Sequence, residues 1–233
     1  MANYVLVHGA WGGGQTYDAI LPLLREAGHD VLVATLPGLG TRQAELHPGI
    51  TLTDHIDAVC QQIAEAGYSR FILVGHSYGG MVITGVAGRL GKQIDAICYI
   101  DAFVPQGGQS LWDITSEFEH KWYIDSQKFK PGYVDPIGGV DFSVVPGVVG
   151  YHPLLTLLEA LRLSGAEQAI PRKAYIFATG WQPTPFPRFA AAAKAAGWEY
   201  HEADCDHFVM ANRPEQTAEV LLGLAPWGRP RET

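Results

Sequence analysis

The chain has 233 residues, of which 47% are hydrophobic and 17% are charged, and its formal net charge is −8. This length and composition predict one globular domain and exclude a disordered or fibrous chain. The negative charge, in a sequence without a Lys/Arg cluster, argues against nucleic acid or an anionic membrane as a partner.

The cysteine content and the N-terminal sequence indicate the cellular compartment of the protein. Cys60, Cys98 and Cys205 are an odd number of cysteines without CxxC spacing, so they predict neither a disulfide framework nor a zinc site. The sequence begins with a short apolar segment rather than a signal peptide, and it has no run of about 18 apolar residues. We therefore expect a cytoplasmic protein with no membrane partner, no metal and no cofactor.

Short β-like runs alternate with helix-like segments in the N-terminal part of the sequence, a pattern typical of a parallel sheet with helices on both faces. Pro22 argues against an unbroken first helix, and Thr51 to Asp54 form a capping sequence for the second. Strands are predicted over residues 4–8, 30–34, 71–75 and 96–101, and helices over residues 16–27, 51–66 and 78–88.

The alternation stops between about residues 105 and 171, where Gly, Pro and aromatic residues are frequent. We interpret this segment as an insertion that forms a small cap. Beyond it, strands are predicted over residues 174–178 and 199–202, and helices over residues 188–196 and 214–224. We therefore expect a single α/β domain over residues 1–233, with the cap inserted at about 105–171.

The strongest chemical motif is Gly75-His76-Ser77-Tyr78-Gly79, which lies directly after a predicted strand and before a predicted helix. Small residues around the serine allow a tight strand-to-helix turn, which holds the hydroxyl at the carboxyl edge of the sheet near a helix N-terminus. A glycine-rich turn without a chemical role is the alternative interpretation. The order of strand, motif and helix favours Ser77 as a nucleophile.

A second glycine-rich motif, His-Gly-Ala-Trp-Gly-Gly-Gly at residues 8–14, follows the first predicted strand. Glycines let backbone amides approach a ligand closely. We predict that the amides of Ala10 and Tyr78 form an oxyanion hole, in which one donor is worth about 3 kcal/mol in the transition state. A structural turn is again the alternative.

A nucleophilic serine needs a general base later in the chain. His207 lies in a loop after the last predicted strand and before the last predicted helix. His120 and His152 lie in the insertion, and His201 alternates within a predicted strand. The position of His207 therefore favours it as the base.

These motifs resemble those of the esterase and hydroxynitrile lyase branch of the α/β-hydrolase superfamily, which includes plant methyl-salicylate esterases and bacterial relatives. The likeness rests on the HGA loop at residues 8–10, GHSYGG at 75–80, YIDAFVP at 99–105 and DHF at 206–208. It implies an α/β-hydrolase fold, with a mostly parallel central sheet, helices on both faces, a small cap and a Ser-His-acid triad.

One feature departs from the usual pattern of this branch. Its acid normally follows the strand predicted here over residues 174–178, but residues 179–183 contain no carboxylate. Asp101 ends the strand next to the nucleophile strand and is the predicted acid, because it can accept the imidazole N–H and fix its tautomer. Asp204 and Asp206 are rivals if the loop around His207 folds back on itself.

Lyases of this branch place a threonine beside the histidine of the first loop and a lysine directly after the catalytic histidine. This chain has Gly9 and Phe208 at those positions. Without a cation in the pocket a cyanide leaving group loses its stabilisation, so ester hydrolysis is favoured over cyanohydrin cleavage.

We predict a carboxylesterase-like serine hydrolase that cleaves a small, mostly apolar ester or lactone through an acyl-enzyme on Ser77. A hydroxynitrile or C–C lyase, and a small-molecule receptor with vestigial catalysis, are the alternatives. A homodimer is a candidate assembly. The residues predicted to line the substrate pocket are Trp11, Phe103, Trp112, Trp122 and Phe208.

Overall fold

A parallel sheet of six strands organises the computed structural model, which describes residues 1–136, 150–181 and 184–226. The strands are β1 (Asn3–Val7), β2 (Asp30–Ala34), β3 (Phe71–His76), β4 (Ile94–Ile100), β5 (Tyr133–Val134), β6 (His152–Pro153), β7 (Lys173–Ala178) and β8 (Glu199–Ala203). The order across the sheet is β2-β1-β3-β4-β7-β8, and all neighbouring strands are parallel. This confirms the predicted fold class, and each of the six predicted strands ends within two residues of its predicted bounds.

Helices cover both faces of the sheet. They are α1 (Leu21–Glu26), α2 (Leu52–Glu65), α3 (Gly79–Leu90), α4 (Glu117–Ser126), α5 (Leu155–Leu158), α6 (Pro187–Ala195), α7 (Val209–Asn212) and α8 (Pro214–Gly223). Helices α2, α3 and α6 pack on one face, and α1, α7 and α8 pack on the other. Neighbouring residues of one strand serve opposite faces, since Val5 packs with the first set and Leu6 with the second. The inner strands are therefore apolar on both faces rather than alternating, whereas the edge strand β8 carries the exposed Glu199 and Glu202.

The first predicted helix is wrong as a continuous element. Residues 14–17 form a short 3-10 turn, and α1 begins only at Leu21, with Pro22 in its first turn. Proline lacks a backbone N–H and is tolerated at the start of a helix, so it marks a new beginning here. The predicted cap of α2 is confirmed, because Thr51 and Asp54 each accept a backbone N–H of the other.

The predicted insertion contains α4, α5 and the antiparallel pair β5 and β6. In its described part it adds no strand to the six-stranded sheet. Residues 137–149 of the insertion lie outside the described residues, as do residues 182–183 and 227–233. Among the helices that are described, none combines the length and apolarity needed to cross a bilayer.

Candidate active site

Ser77 directly follows β3, and its backbone has a strained conformation that the surrounding packing holds in place. Its φ is 55°, in the left-handed region that L-residues rarely occupy. Hydrogen bonds hold this turn, since Ser77 donates its amide to Ile100 O at 3.3 Å and accepts Phe103 N–H at 3.2 Å. Glycine is required beside it, because a Cβ at Gly79 would lie 2.5 Å from Val7 O and one at Gly80 would overlap Phe103 O. The turn thus carries the predicted nucleophile on a fixed support.

His207 and Asp101 are in direct contact. His207 lies between β8 and α7, and its Nδ1 is 2.7 Å from Asp101 Oδ2. Asp101 follows β4, is fully buried, and has a φ of 39°. Its amide donates to Ile176 O at 2.7 Å, and its other carboxylate oxygen accepts Ala178 N–H at 3.3 Å. The structure therefore brings the predicted base and the predicted acid together.

The two rival carboxylates lie away from this contact. Asp204 and Asp206 are exposed, and Asp206 accepts the amide of Phe208 at 2.9 Å as a local turn within the loop. In the structure it is Asp101 that accepts from the His207 ring.

Burial sets the charge state of the contact between His207 and Asp101. Burial lowers the pKa of His207 to about 3 and raises the pKa of Asp101 to about 7. Both shifts oppose an imidazolium, so the ring is neutral at neutral pH. With its proton on Nδ1 and facing Asp101, the neutral ring keeps a lone pair on Nε2. That lone pair is the group that can accept a proton from a serine.

The turn at Ser77 and the loop of His207 are tied together through His76. Its Nε2 donates to the backbone oxygen of His207 at 2.9 Å, and the two rings lie 4.4 Å apart between centroids. Within the described residues no hydrogen bond joins Ser77 Oγ to His207 Nε2. Catalytic hydrogen bonds of this kind are commonly long in a substrate-free enzyme and tighten when substrate binds.

The predicted oxyanion loop lies against the nucleophile. A Cβ at Gly9 would lie 2.9 Å from Ser77 Cβ, so the backbone before Ala10 approaches the serine as closely as glycine allows. His8 holds the loop, because its Nδ1 donates to Gly9 O at 2.9 Å and its Nε2 accepts Leu36 N–H at 3.3 Å. A threonine at position 9, as in the lyases, would require the turn at Ser77 to shift.

The aromatic residues predicted for the pocket lie in different places. Trp11 packs on Trp122 with centroids 4.8 Å apart, and Phe208 lies 5.6 Å from the His207 ring. Phe103 is only 6% exposed, and its ring packs against Phe186 with centroids 4.9 Å apart. Trp112 stacks on His120 and lines a cavity of about 500 Å³ in the insertion, whose lining does not include Ser77 or His207.

Two aromatic neighbours of the predicted base are absent from the sequence prediction. The rings of Trp181 and Phe186 lie 4.6 Å and 5.0 Å from the His207 ring. Both residues follow β7, at the carboxyl edge where sites of open parallel sheets form. That position is a signal from which they could have been predicted.

Comparison with known proteins shows the family to which the chain belongs. The sequence profile of the Alpha/beta hydrolase family matches residues 4–220, and the chain belongs to this family. A carbendazim hydrolyzing esterase of Nocardioides sp. (strain SG-4G) is 38% identical over 96% of this chain and 100% of that protein. Methylesterase 7 of Arabidopsis thaliana is 30% identical over 96% of both chains. With esterases as full-length relatives, the chain is a carboxylesterase-like hydrolase, as the motifs predicted.

Solved structures show the same fold at lower identity. An extracellular alpha/beta-hydrolase from a Paenibacillus species superposes with a TM-score of 0.81 at 22% identity, covering 97% of this chain and 100% of that chain. A pyrethroid hydrolase from Sphingobium faniae JZ-2 gives a TM-score of 0.76 at 19% identity, covering 97% and 98%. These similarities establish the shared fold.

Proposed function

We propose that this chain is a serine esterase in which Ser77 is the nucleophile, His207 the general base and Asp101 the acid that orients it. The observation that carries the proposal is the 2.7 Å contact between His207 Nδ1 and Asp101 Oδ2, on a loop tied to the turn of Ser77. Because Asp101 accepts at Nδ1, the basic lone pair is on Nε2, which is the tautomer that serine activation needs.

The reaction proceeds in two acyl transfers. Ser77 Oγ attacks the ester carbonyl carbon while His207 Nε2 takes the hydroxyl proton, and the amides of Ala10 and Tyr78 donate to the oxygen that becomes negative. Collapse of this intermediate breaks the bond to the alcohol oxygen, which receives the proton from Nε2. Water then attacks the acyl-enzyme by the same route, and it releases the acid and regenerates Ser77.

The side chains near these groups favour a small, mostly apolar ester. Aromatic rings flank His207 and the Ala10 loop, namely Trp11, Trp122, Trp181, Phe186 and Phe208. Such rings bind apolar groups and exclude water from the developing charge. The names of the relatives, a carbendazim hydrolyzing esterase and a methylesterase, support a small ester rather than a long-chain lipid.

We also propose that the insertion at about residues 105–171 acts, in the part that the structure describes, as a cap over this site. Two contacts support it: Trp11 Nε1 donates to Val134 O in β5 at 2.9 Å, and its ring packs on Trp122 of α4. The cytoplasmic location and the homodimer stay predictions, which cell fractionation and light scattering would check.

A panel of methyl, aryl and alkyl esters and lactones, assayed beside Ser77→Ala, tests the proposal. The wild type should turn over at least one ester class and should gain the mass of one adduct from an aryl phosphonate, whereas Ser77→Ala should do neither. Tight ligand binding without turnover would instead favour a receptor, and release of cyanide from mandelonitrile would favour a lyase. Turnover that survives Ser77→Ala would refute the role of this serine.

A further inference from the structure

Trp11 has an unusual conformation next to the proposed oxyanion donor Ala10. Its φ is 56°, in the left-handed region, which is a marked outlier for a bulky residue. Such a conformation persists only where the surroundings hold it. The residues that hold Trp11 therefore bear on how Ala10 is presented to a substrate.

Three parts of the insertion contact Trp11. Its indole Nε1 donates to Val134 O at 2.9 Å, and its ring packs on Trp122. Its backbone amide donates to His152 Nδ1 at 3.4 Å. This last contact acts on the main chain, because the amide of Trp11 belongs to the peptide unit that joins it to Ala10.

His152 can play this part in one protonation state only. The amide of Trp11 is a donor, so Nδ1 must be unprotonated and Nε2 must carry the hydrogen. Nε2 donates to Thr156 Oγ1 at 2.7 Å, and the Thr156 hydroxyl donates to Pro153 O at 2.7 Å. The threonine has one hydrogen and gives it to a carbonyl, so it can only accept from the ring. The donors and acceptors in this chain of hydrogen bonds are therefore fixed, from the Trp11 amide through His152 and Thr156 to Pro153 O.

The surroundings keep His152 in that state. The ring is fully buried, and it lies edge-on to Tyr78 at 4.8 Å and to His55 at 6.0 Å. His55 has its own fixed roles, since Nε2 donates to Pro37 O and Nδ1 accepts the Tyr78 hydroxyl. Burial lowers the pKa of His152 well below its ordinary value, so the ring is neutral at neutral pH.

We propose that His152 is a positioning residue for the oxyanion hole. By accepting the amide of Trp11, it fixes the peptide plane after Ala10, and through the φ and ψ of Ala10 it restrains the preceding plane, which carries the Ala10 N–H. The inference rests on the proposed function, because it assigns the contact a role in that reaction. Its consequence is that the oxyanion hole is complete only when strand β6, which carries His152, is seated on the loop after β1.

His152→Leu and His152→Asn form the central pair of variants. Leucine fills the buried space without an acceptor, whereas the asparagine oxygen can take the place of Nδ1. We expect His152→Leu to lower kcat by about 10- to 100-fold with KM changed less than about threefold, because a misplaced donor loses part of what a deleted one loses. His152→Asn should stay within about fivefold of the wild type.

An inhibitor supplies a readout that a merely structural role would not move. An aryl trifluoromethyl ketone adds to the serine and puts a negative oxygen in the oxyanion hole, whereas the neutral product alcohol has no such oxygen. We expect His152→Leu to weaken the ketone by the same factor as kcat/KM and to leave the affinity for the product alcohol unchanged. His120→Leu is the matched control, since His120 lies in the same insertion and donates to Trp112 O. It should leave both affinities and kcat unchanged.

The outcomes separate the two proposals. A wild type without turnover or phosphonate adduct removes the proposed function and this inference together. An active wild type with a His152→Leu variant that keeps kcat and ketone affinity overturns the inference alone. If His152→Leu does not fold, Thr156→Val decides, because it removes the acceptor that fixes the tautomer of His152. That variant should lower kcat and ketone affinity together, and unchanged values would overturn the inference.

Discussion

Mild acid should destabilise this chain steeply, because four histidines are buried as neutral rings. His8, His55, His76 and His152 are at most 2% exposed. Burial lowers the pKa of His8 to about 4 and of His55 to about 3, and it holds the pKa values of the other two well below the ordinary one. In the unfolded chain each pKa returns to about 6.5. The unfolded chain therefore binds more protons below about pH 7, and stability falls as pH falls through the unfolded pKa.

The size of the effect follows from proton linkage. At about pH 5.5 an unfolded histidine holds about 0.9 proton, whereas a buried one holds almost none. Lowering the pH from about 7.5 to 5.5 therefore costs about 1.4 kcal/mol for each histidine and about 5.5 kcal/mol for the four. The pair of His207 and Asp101 nearly cancels, because burial lowers the pKa of the first and raises that of the second. The free energy of unfolding of a typical domain is about 5–15 kcal/mol, so this change in pH removes a large part of the stability.

Urea unfolding followed by tryptophan fluorescence at half-unit steps between about pH 8 and 5.5 measures this loss. The slope of the unfolding free energy should approach about four protons near pH 5.5 and should be close to zero above about pH 7.5. His55→Asn should reduce the slope by about one proton, whatever its effect on stability at neutral pH. A slope below about two protons near pH 5.5 would refute the reasoning, because the histidines would then be charged or exposed in the folded chain.

Three further outcomes are expected. Asp101→Asn should lower kcat by roughly 10³- to 10⁴-fold, since the amide can donate to Nδ1 and favour the wrong tautomer; single-turnover kinetics would measure it, and an unchanged kcat would point to another acid. Ser77→Gly should be more stable than Ser77→Ala by about 1 kcal/mol in free energy of unfolding, because glycine accepts the φ of 55° without strain. Calorimetry on both inactive variants measures the difference, and equal stability would contradict that strain. Gly80→Ala should lower the free energy of unfolding by about 3 kcal/mol or more, because the added methyl group would overlap Phe103 O. Urea unfolding measures this loss, and a variant of normal stability would show that the turn can relax.

The inner strands were predictable because each is a short apolar run that ends in glycine, polar or charged residues. In a sheet covered on both faces, burial requires that pattern, and Phe71 to Val74 show it fully. The first helix was overextended because apolar periodicity runs through residues 16–27, while Pro22 and the 3-10 turn divide it. Periodicity records which residues face the core, and it does not record where the backbone changes direction.

The proposed site could be predicted from the sequence where chemistry and chain order coincide. Ser77 has a motif, and His207 has a position in the loop before the last helices. Asp101 followed from the missing carboxylate after β7 and from the adjacency of β3 and β4 in a parallel sheet. The contact between Trp11 and His152 joins residues 141 positions apart, and no local pattern announces it. Trp181 and Phe186 could have been predicted from their place after β7, although each is also an ordinary aromatic residue by its local sequence.

The position of Asp101 has a consequence for how this enzyme type can diversify. In the usual arrangement the turn after β7 must keep a carboxylate at a set distance from the base, so few changes there are tolerated. In the triad proposed for this chain β4 anchors that carboxylate, and Trp181 and Phe186, which follow β7, lie beside the His207 ring instead. We therefore expect that ester preference can be altered at those two rings while the proposed pair of His207 and Asp101 stays intact, which makes them the first positions to randomise in a search for new substrates.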